Sequence, residues 1–134
     1  MVACKSVIGG LKLNYKDPAT RSLGNQKLAV EEVRRVLKPG GVFLGAENLR
    51  ATRLHEALRT IRHNGRTGWR YLQASEIQWL FAEYTFCEQK PWGFWGTYWP
   101  KFIGLNRIAK AADVALSRIA PPGWLYISFI RARK

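Results

Sequence analysis

Along residues 28–48, LAVEEVRRVLKPGGVFLGAEN, the apolar positions Ala29, Val33, Val36 and Leu37 recur at helical spacing, while Glu31, Glu32, Arg34, Arg35 and Lys38 fill the positions between. The pattern predicts an amphipathic helix with one face on a flat surface. Pro39 cannot continue it, Gly40 and Gly41 allow a tight reversal, and residues 42–46 follow as an apolar run without polar alternation. Such a run marks a strand buried on both faces. Helix, glycine turn and buried strand together form the second half of a βαβ unit, which implies a parallel sheet covered by helices on both sides.

The flanking segments extend the pattern. Residues 2–11 read as a strand closing in Gly9-Gly10, and 12–25 as a polar connection with a short helical lead after Asp17-Pro18. Over 52–62, Leu54, Ala57, Leu58 and Ile61 share one helical face, expected toward the core, with Arg53, His55, Arg59 and Arg62 around the other. Ser75 and Gln78 have capping-box spacing ahead of a helix that turns Ile77, Leu80, Phe81 and Tyr84 inward. A short strand is expected at 85–88. Residues 101–119 predict a helix with Phe102, Leu105, Ile108, Ala109, Ala112, Ala115, Leu116 and Ile119 on one side and Arg107, Lys110 and Arg118 elsewhere. Pro121-Pro122-Gly123 stops it, and 124–132 close as an apolar strand.

Composition narrows the function classes. A chain of 134 residues suffices for one domain or part of one, and 22 basic against 9 acidic residues give a net charge of +13. That excess points either to an acidic partner or to acidic residues in a complementary piece of a larger domain. No nucleic-acid module pattern accompanies it, so RNA or DNA is disfavoured. Cys4 and Cys87 have no neighbouring Cys or His at ligand spacing, which argues against a metal site and suits reduced thiols in the cytoplasm. His55 and His63 lack a sequence-placed partner and read as surface residues. Neither a P-loop nor GxGxxG spacing occurs, and no apolar run is long enough to span a bilayer.

The stretch VRRVLKPGGVFLGAEN resembles the segment between the fourth and fifth strands of class I S-adenosylmethionine-dependent methyltransferases, and the order of the remaining elements matches strands four to seven of that fold. The resemblance implies an α/β fold, a partial Rossmann-like methyltransferase sheet with helices packed on it. The four strands would lie in the order first, second, fourth, third, with only the last antiparallel. Residues 1–134 would form a single partial domain carrying an aromatic and helical insertion at about 91–121. The family's glycine-rich loop and ribose-gripping acid belong to earlier strands and are absent from these residues, so catalysis by this chain alone is not expected.

By the same resemblance, Cys4, Lys5 and Ser6 would lie against the methionine part of S-adenosyl-L-methionine, with Val7 and Ile8 near the transferred methyl. No catalytic residue is implied. Glu47 and Asn48 fall at the carboxyl end of the central strand, where open α/β sheets place ligands, and could orient a substrate hydroxyl or amine; Asn48 could equally shape the turn or cap the next helix. Trp95 and Trp99, within the aromatic segment PWGFWGTYWP, could wall an acceptor pocket, meet a bilayer interface or complete the core. The acceptor would be a small molecule, a sugar or a lipid-linked intermediate. Peripheral membrane contact and a missing N-terminal half or partner chain are further expectations, and the alternative is a non-catalytic module or subunit for anionic glycan, membrane or RNA.

Overall fold

The computed structural model describes residues 1–11, 19–62, 69–94 and 105–134. Strand β1 (Val2–Lys5) pairs in parallel with β2 (Val42–Asn48), with Val2 opposite Phe43 and Lys5 opposite Ala46. Strand β4 (Ile127–Arg133) runs antiparallel to β2 on one side and to β3 (Phe86–Trp92) on the other, giving the order β1-β2-β4-β3. Strand order and direction are those expected from the sequence. The boundaries differ, with β3 running on to Trp92 instead of ending at residue 88 and β4 starting at Ile127 after a 3-10 turn at Pro122–Trp124. Ser6 takes φ 54, which ends β1, and Ile8–Gly10 form a 3-10 turn instead of continuing the strand. Helix α1 (Ala19–Val36) begins well before the segment 28–38 whose periodicity is clearest.

One sheet face carries the core. Phe43, Ile130 and Ala132 point at Val30 and Leu37 from the α1 side and at Ile77 and Leu80 of α3 (Ala74–Leu80), and Phe81 stacks on Phe43 at 5.2 Å. The turn at Gly40-Gly41 is fastened to the end of β4: the Gly40 N–H donates to the Lys134 carbonyl, and the Lys134 ammonium donates to the Leu37 carbonyl at 2.7 Å, satisfying an end of α1. At the start of α3, the Glu76 carboxylate accepts from the Gln73 N–H, so the capping pair lies two residues before the Ser75 and Gln78 expected.

The opposite face is open among the described residues, which corrects the expectation of helices on both sides. Across the strands it reads Ala3, Leu44, Arg131, Glu88 in one row and Lys5, Ala46, Phe129, Lys90 in the next. Leu44 is 38% and Phe129 50% exposed. A parallel pair such as β1 and β2 is normally covered on both sides, so this bare, basic and partly apolar surface is unusual for its topology.

Helix α2 (Arg53–Arg62) faces the opposite way from its apolar stripe. Leu54 and Ile61 are 52% and 74% exposed, whereas His55 and Arg59 are buried. The helix packs over the ends of strands, where carbonyls need donors, and apolar side chains would leave those carbonyls unpaired. Helix α4 (Leu105–Ile119) shows the same inversion: Ile108 and Ile119 are 69% and 80% exposed, while Ser117 is buried. Its anchors are polar. The Ser117 hydroxyl accepts from the Gly93 N–H at 3.0 Å, and the Asp113 carboxylate accepts from the Phe94 N–H at 2.8 Å. Gly93 sits at φ +80, and a Cβ there would lie 2.5 Å from the Tyr126 ring. Gly93→Ala should therefore destabilise the protein by about 2–4 kcal/mol through strain and overlap together, read by urea denaturation; a change under ~0.5 kcal/mol would mean that the turn relaxes freely.

Candidate functional site

Because β1 and β2 are parallel, their carboxyl ends lie side by side, the position where open α/β sheets bind ligands. The chain leaves β1 through Ser6, whose N–H donates to the Ala46 carbonyl at 2.8 Å, and then tightens into the 3-10 turn. That turn aims consecutive N–H groups at one point. The point is occupied by Glu47, which is 1% exposed: its Oε1 accepts from Val7 and Ile8 at 2.9 and 3.0 Å, and its Oε2 accepts from Gly9 at 3.2 Å. A cluster of N–H groups that could have held a ligand's anion thus holds the protein's own carboxylate.

The sequence-named residues therefore divide. Lys5 and Ser6 lie at the rim, with the Asn48 amide donating to the Ser6 hydroxyl at 3.1 Å, so Asn48 ties the ends of the two strands together. Cys4 is half-buried, 4.0 Å from Glu47. Burial, with the Glu47 charge added, pushes its thiol up to about 11, leaving it protonated and a poor nucleophile at neutral pH. Ile8 is a core residue at 4% exposure, and Glu47 is buried with both oxygens turned to backbone N–H groups, out of a substrate's reach. Trp95 and Trp99 lie outside the described residues, as does His63.

Past Asn48 the chain is gripped from both sides, with the Leu49 N–H on the Tyr126 carbonyl and the Arg50 N–H on the Leu72 carbonyl. Arg59 supports this strip from below, donating to the Leu49 carbonyl at 2.6 Å with its guanidinium 4.0 Å above the Tyr71 ring. Ala51, at φ 55, then turns the backbone into α2. Between the starts of α2 and α3 lies a cleft of about 590 Å³ lined by Arg50, Ala51, Arg53, Glu56, Gln73 and Leu125, among other residues. Its size suits a small organic molecule. Glu56 holds Arg50 at 2.6 Å, and Arg53 has no ion pair among the described residues.

His55 corrects the surface reading, being 1% exposed. Its Nε2 lies 2.6 Å from the Phe94 carbonyl and its Nδ1 2.7 Å from the Thr52 hydroxyl. A carbonyl only accepts, so in the neutral ring Nε2 carries the proton and Thr52 donates to Nδ1. This imidazole couples α2 to the end of β3. Sequence reading missed His55, Arg59 and Gln26, which pairs with Arg70 at 2.9 Å, because polar residues on a helix register as solvated unless the carbonyls they meet are known. Among the described residues no group of three or more His, Cys, Asp or Glu could hold a metal ion, and no helix is long and apolar enough to cross a membrane. No protein-family model, curated protein or solved structure matches the chain.

Proposed function

We propose that this chain is the carboxyl-side half of a class I S-adenosylmethionine-dependent methyltransferase domain, acting on a small-molecule, sugar or lipid-linked acceptor and inactive until the rest of the domain is supplied. The observation that carries this reading is the sheet: a parallel pair followed by an antiparallel strand inserted between β2 and β3. The face left open and the edge of β1 left unpaired among the described residues support it. Parallel strands that start at that edge and wind outward, each farther from β2 than the last, run opposite to the step from β1 to β2, so by right-handed crossover their helices fall on the face that α1 leaves bare. One further βαβ half, from a preceding segment or a partner chain, would cover both surfaces at once.

When bound, S-adenosylmethionine supplies an electrophilic methyl group on a sulfonium. The residues present fit only one wall of a site for it. Lys5, Ser6 and Asn48 offer polar groups at the ends of β1 and β2, while the N–H groups of the 3-10 turn are taken by Glu47. The cleft beside Arg53 would receive the acceptor, and methyl transfer needs chiefly that the acceptor be held in line. Few contacts of about 1 kcal/mol each correspond to millimolar affinity or weaker. S-adenosylmethionine at millimolar concentration should accordingly shift the backbone NMR signals of residues 4–6 and 48 first, and calorimetry should detect no micromolar binding. Micromolar binding by the monomer, or shifts confined to a region away from the β1 and β2 ends, would sink the reading. A non-catalytic subunit that completes a partner's sheet is the second reading, favoured by the same free edge; absence of any shift at those ends would favour it.

A further inference from the structure

Helix α4 presents an apolar stripe outward. Ile108, Ala112, Ala115 and Ile119 recur at intervals of four, three and four residues, so they line one side, and all four are exposed. The side tied to the body carries Ala109 and Leu116, both partly buried, and is fastened through Asp113 and Ser117. Helix α2 repeats the arrangement with Leu54, Ala57 and Ile61 exposed, and Trp124, just past the end of α4, is 51% exposed. Isolated exposed apolar residues are ordinary, but two helices turned apolar side out while polar side chains fasten them down are not.

The charge beside the α4 stripe says what covers it. Arg107, Lys110 and Arg118 project from the same helix, Arg107 and Arg118 together along one side of the stripe and Lys110 farther round, and the chain carries +13 overall. Apolar residues next to cations, with an exposed Trp at the helix end, match the boundary between acyl chains and anionic headgroups. An acidic protein groove would match the cations, but the exposed isoleucines extend over the length of α4 without a concave partner surface being required. We infer that α4 lies on an anionic bilayer surface, its isoleucines and Trp124 entering the interface and its cations meeting lipid phosphates. The α4 stripe shares no residue with the bare sheet face or the cleft lining, although Trp124 adjoins the cleft between Gly123 and Leu125, and the inference does not depend on methyl transfer.

The test is co-sedimentation of the full chain with phosphatidylcholine vesicles and with vesicles containing phosphatidylglycerol. To separate lipid binding from self-association, it is run also in a Leu44→Thr, Phe129→Thr background. The expected result is binding to the anionic vesicles, weakened at least tenfold by the pair Ile108→Asp and Ile119→Asp while circular dichroism and melting temperature stay unchanged. Arg107→Glu with Arg118→Glu should abolish the preference for anionic lipid. Added salt should weaken binding only in part, because the apolar contribution is not screened. Three results would overturn the inference: no binding to either vesicle, binding indifferent to the isoleucine pair, or loss of oligomerisation instead of lipid binding in that pair, which would make the stripe a protein interface. Should the isoleucine pair fail to fold, Trp124→Ser, in an exposed turn, replaces it and should lower binding at least threefold.

Discussion

Replacing Glu47 with alanine is expected to cost the protein a large part of its stability. The side chain is fully buried and accepts hydrogen bonds from three successive backbone N–H groups, those of Val7, Ile8 and Gly9. Deleting it leaves those donors facing a cavity, and each buried unsatisfied donor costs about 1–3 kcal/mol. The sum, roughly 3–6 kcal/mol once partial hydration is allowed for, is a large share of the about 5–15 kcal/mol that stabilises a domain. Glu47→Gln should be milder. Its amide oxygen can still serve Val7 and Ile8, but the amide nitrogen would confront the Gly9 N–H, at a cost of about 1–3 kcal/mol. Urea denaturation followed by circular dichroism measures both, and a Glu47→Ala protein within ~1 kcal/mol of the parent would show that water replaces the carboxylate with ease.

Glu47 also shows how far the sequence could be read. Its place at the end of a strand was legible, because the helix, Pro-Gly-Gly and apolar run fixed where β2 begins and which way it points. Its partners were not. An acidic residue at a strand end looks the same whether it meets a ligand or a backbone turn, and Ser6 gives no sign in the sequence of the positive φ that brings the turn under it. Helix α2 fails for a related reason. The spacing of Leu54, Ala57 and Ile61 located the helix correctly but oriented it wrongly, since the surface beneath offers the Leu49 and Phe94 carbonyls and calls for Arg59 and His55. Strand order survived these errors because it depends on runs of apolar residues, which tolerate ambiguity in any one side chain.

The purified chain should self-associate, and the bare sheet face should be the reason. Leu44 and Phe129 retain much of their surface, and burying what remains is worth about 1 kcal/mol for each side chain. In a two-fold dimer each residue counts in both copies, so replacing both with threonine should remove about 4 kcal/mol, close to a thousandfold in the dimer dissociation constant. Threonine suits a strand, which keeps the fold. Sedimentation velocity over a concentration series should show an oligomer for the parent and a monomer for the double variant. A monomeric parent at every concentration would mean that the cations Lys5, Lys90, Arg131 and Arg133 on that face repel a second copy strongly enough to prevent pairing.

The position of β4 has a consequence for synthesis. It lies between β2 and β3, pairing Val42 with Arg133 and Phe86 with the same Arg133, so β2 and β3 never touch each other directly. On the ribosome, β2 can pair with β1 as it emerges, but its second edge and the whole of β3 must wait for β4 before they gain a neighbour. Completion of the sheet is therefore a late, non-local step, slow by the nature of its contacts, and the nascent chain is exposed to mispairing throughout the delay. A ribosome stalled before residue 127 would hold the β1–β2 pair with β3 still unattached, which makes chaperone demand a property of this topology and not of any single residue.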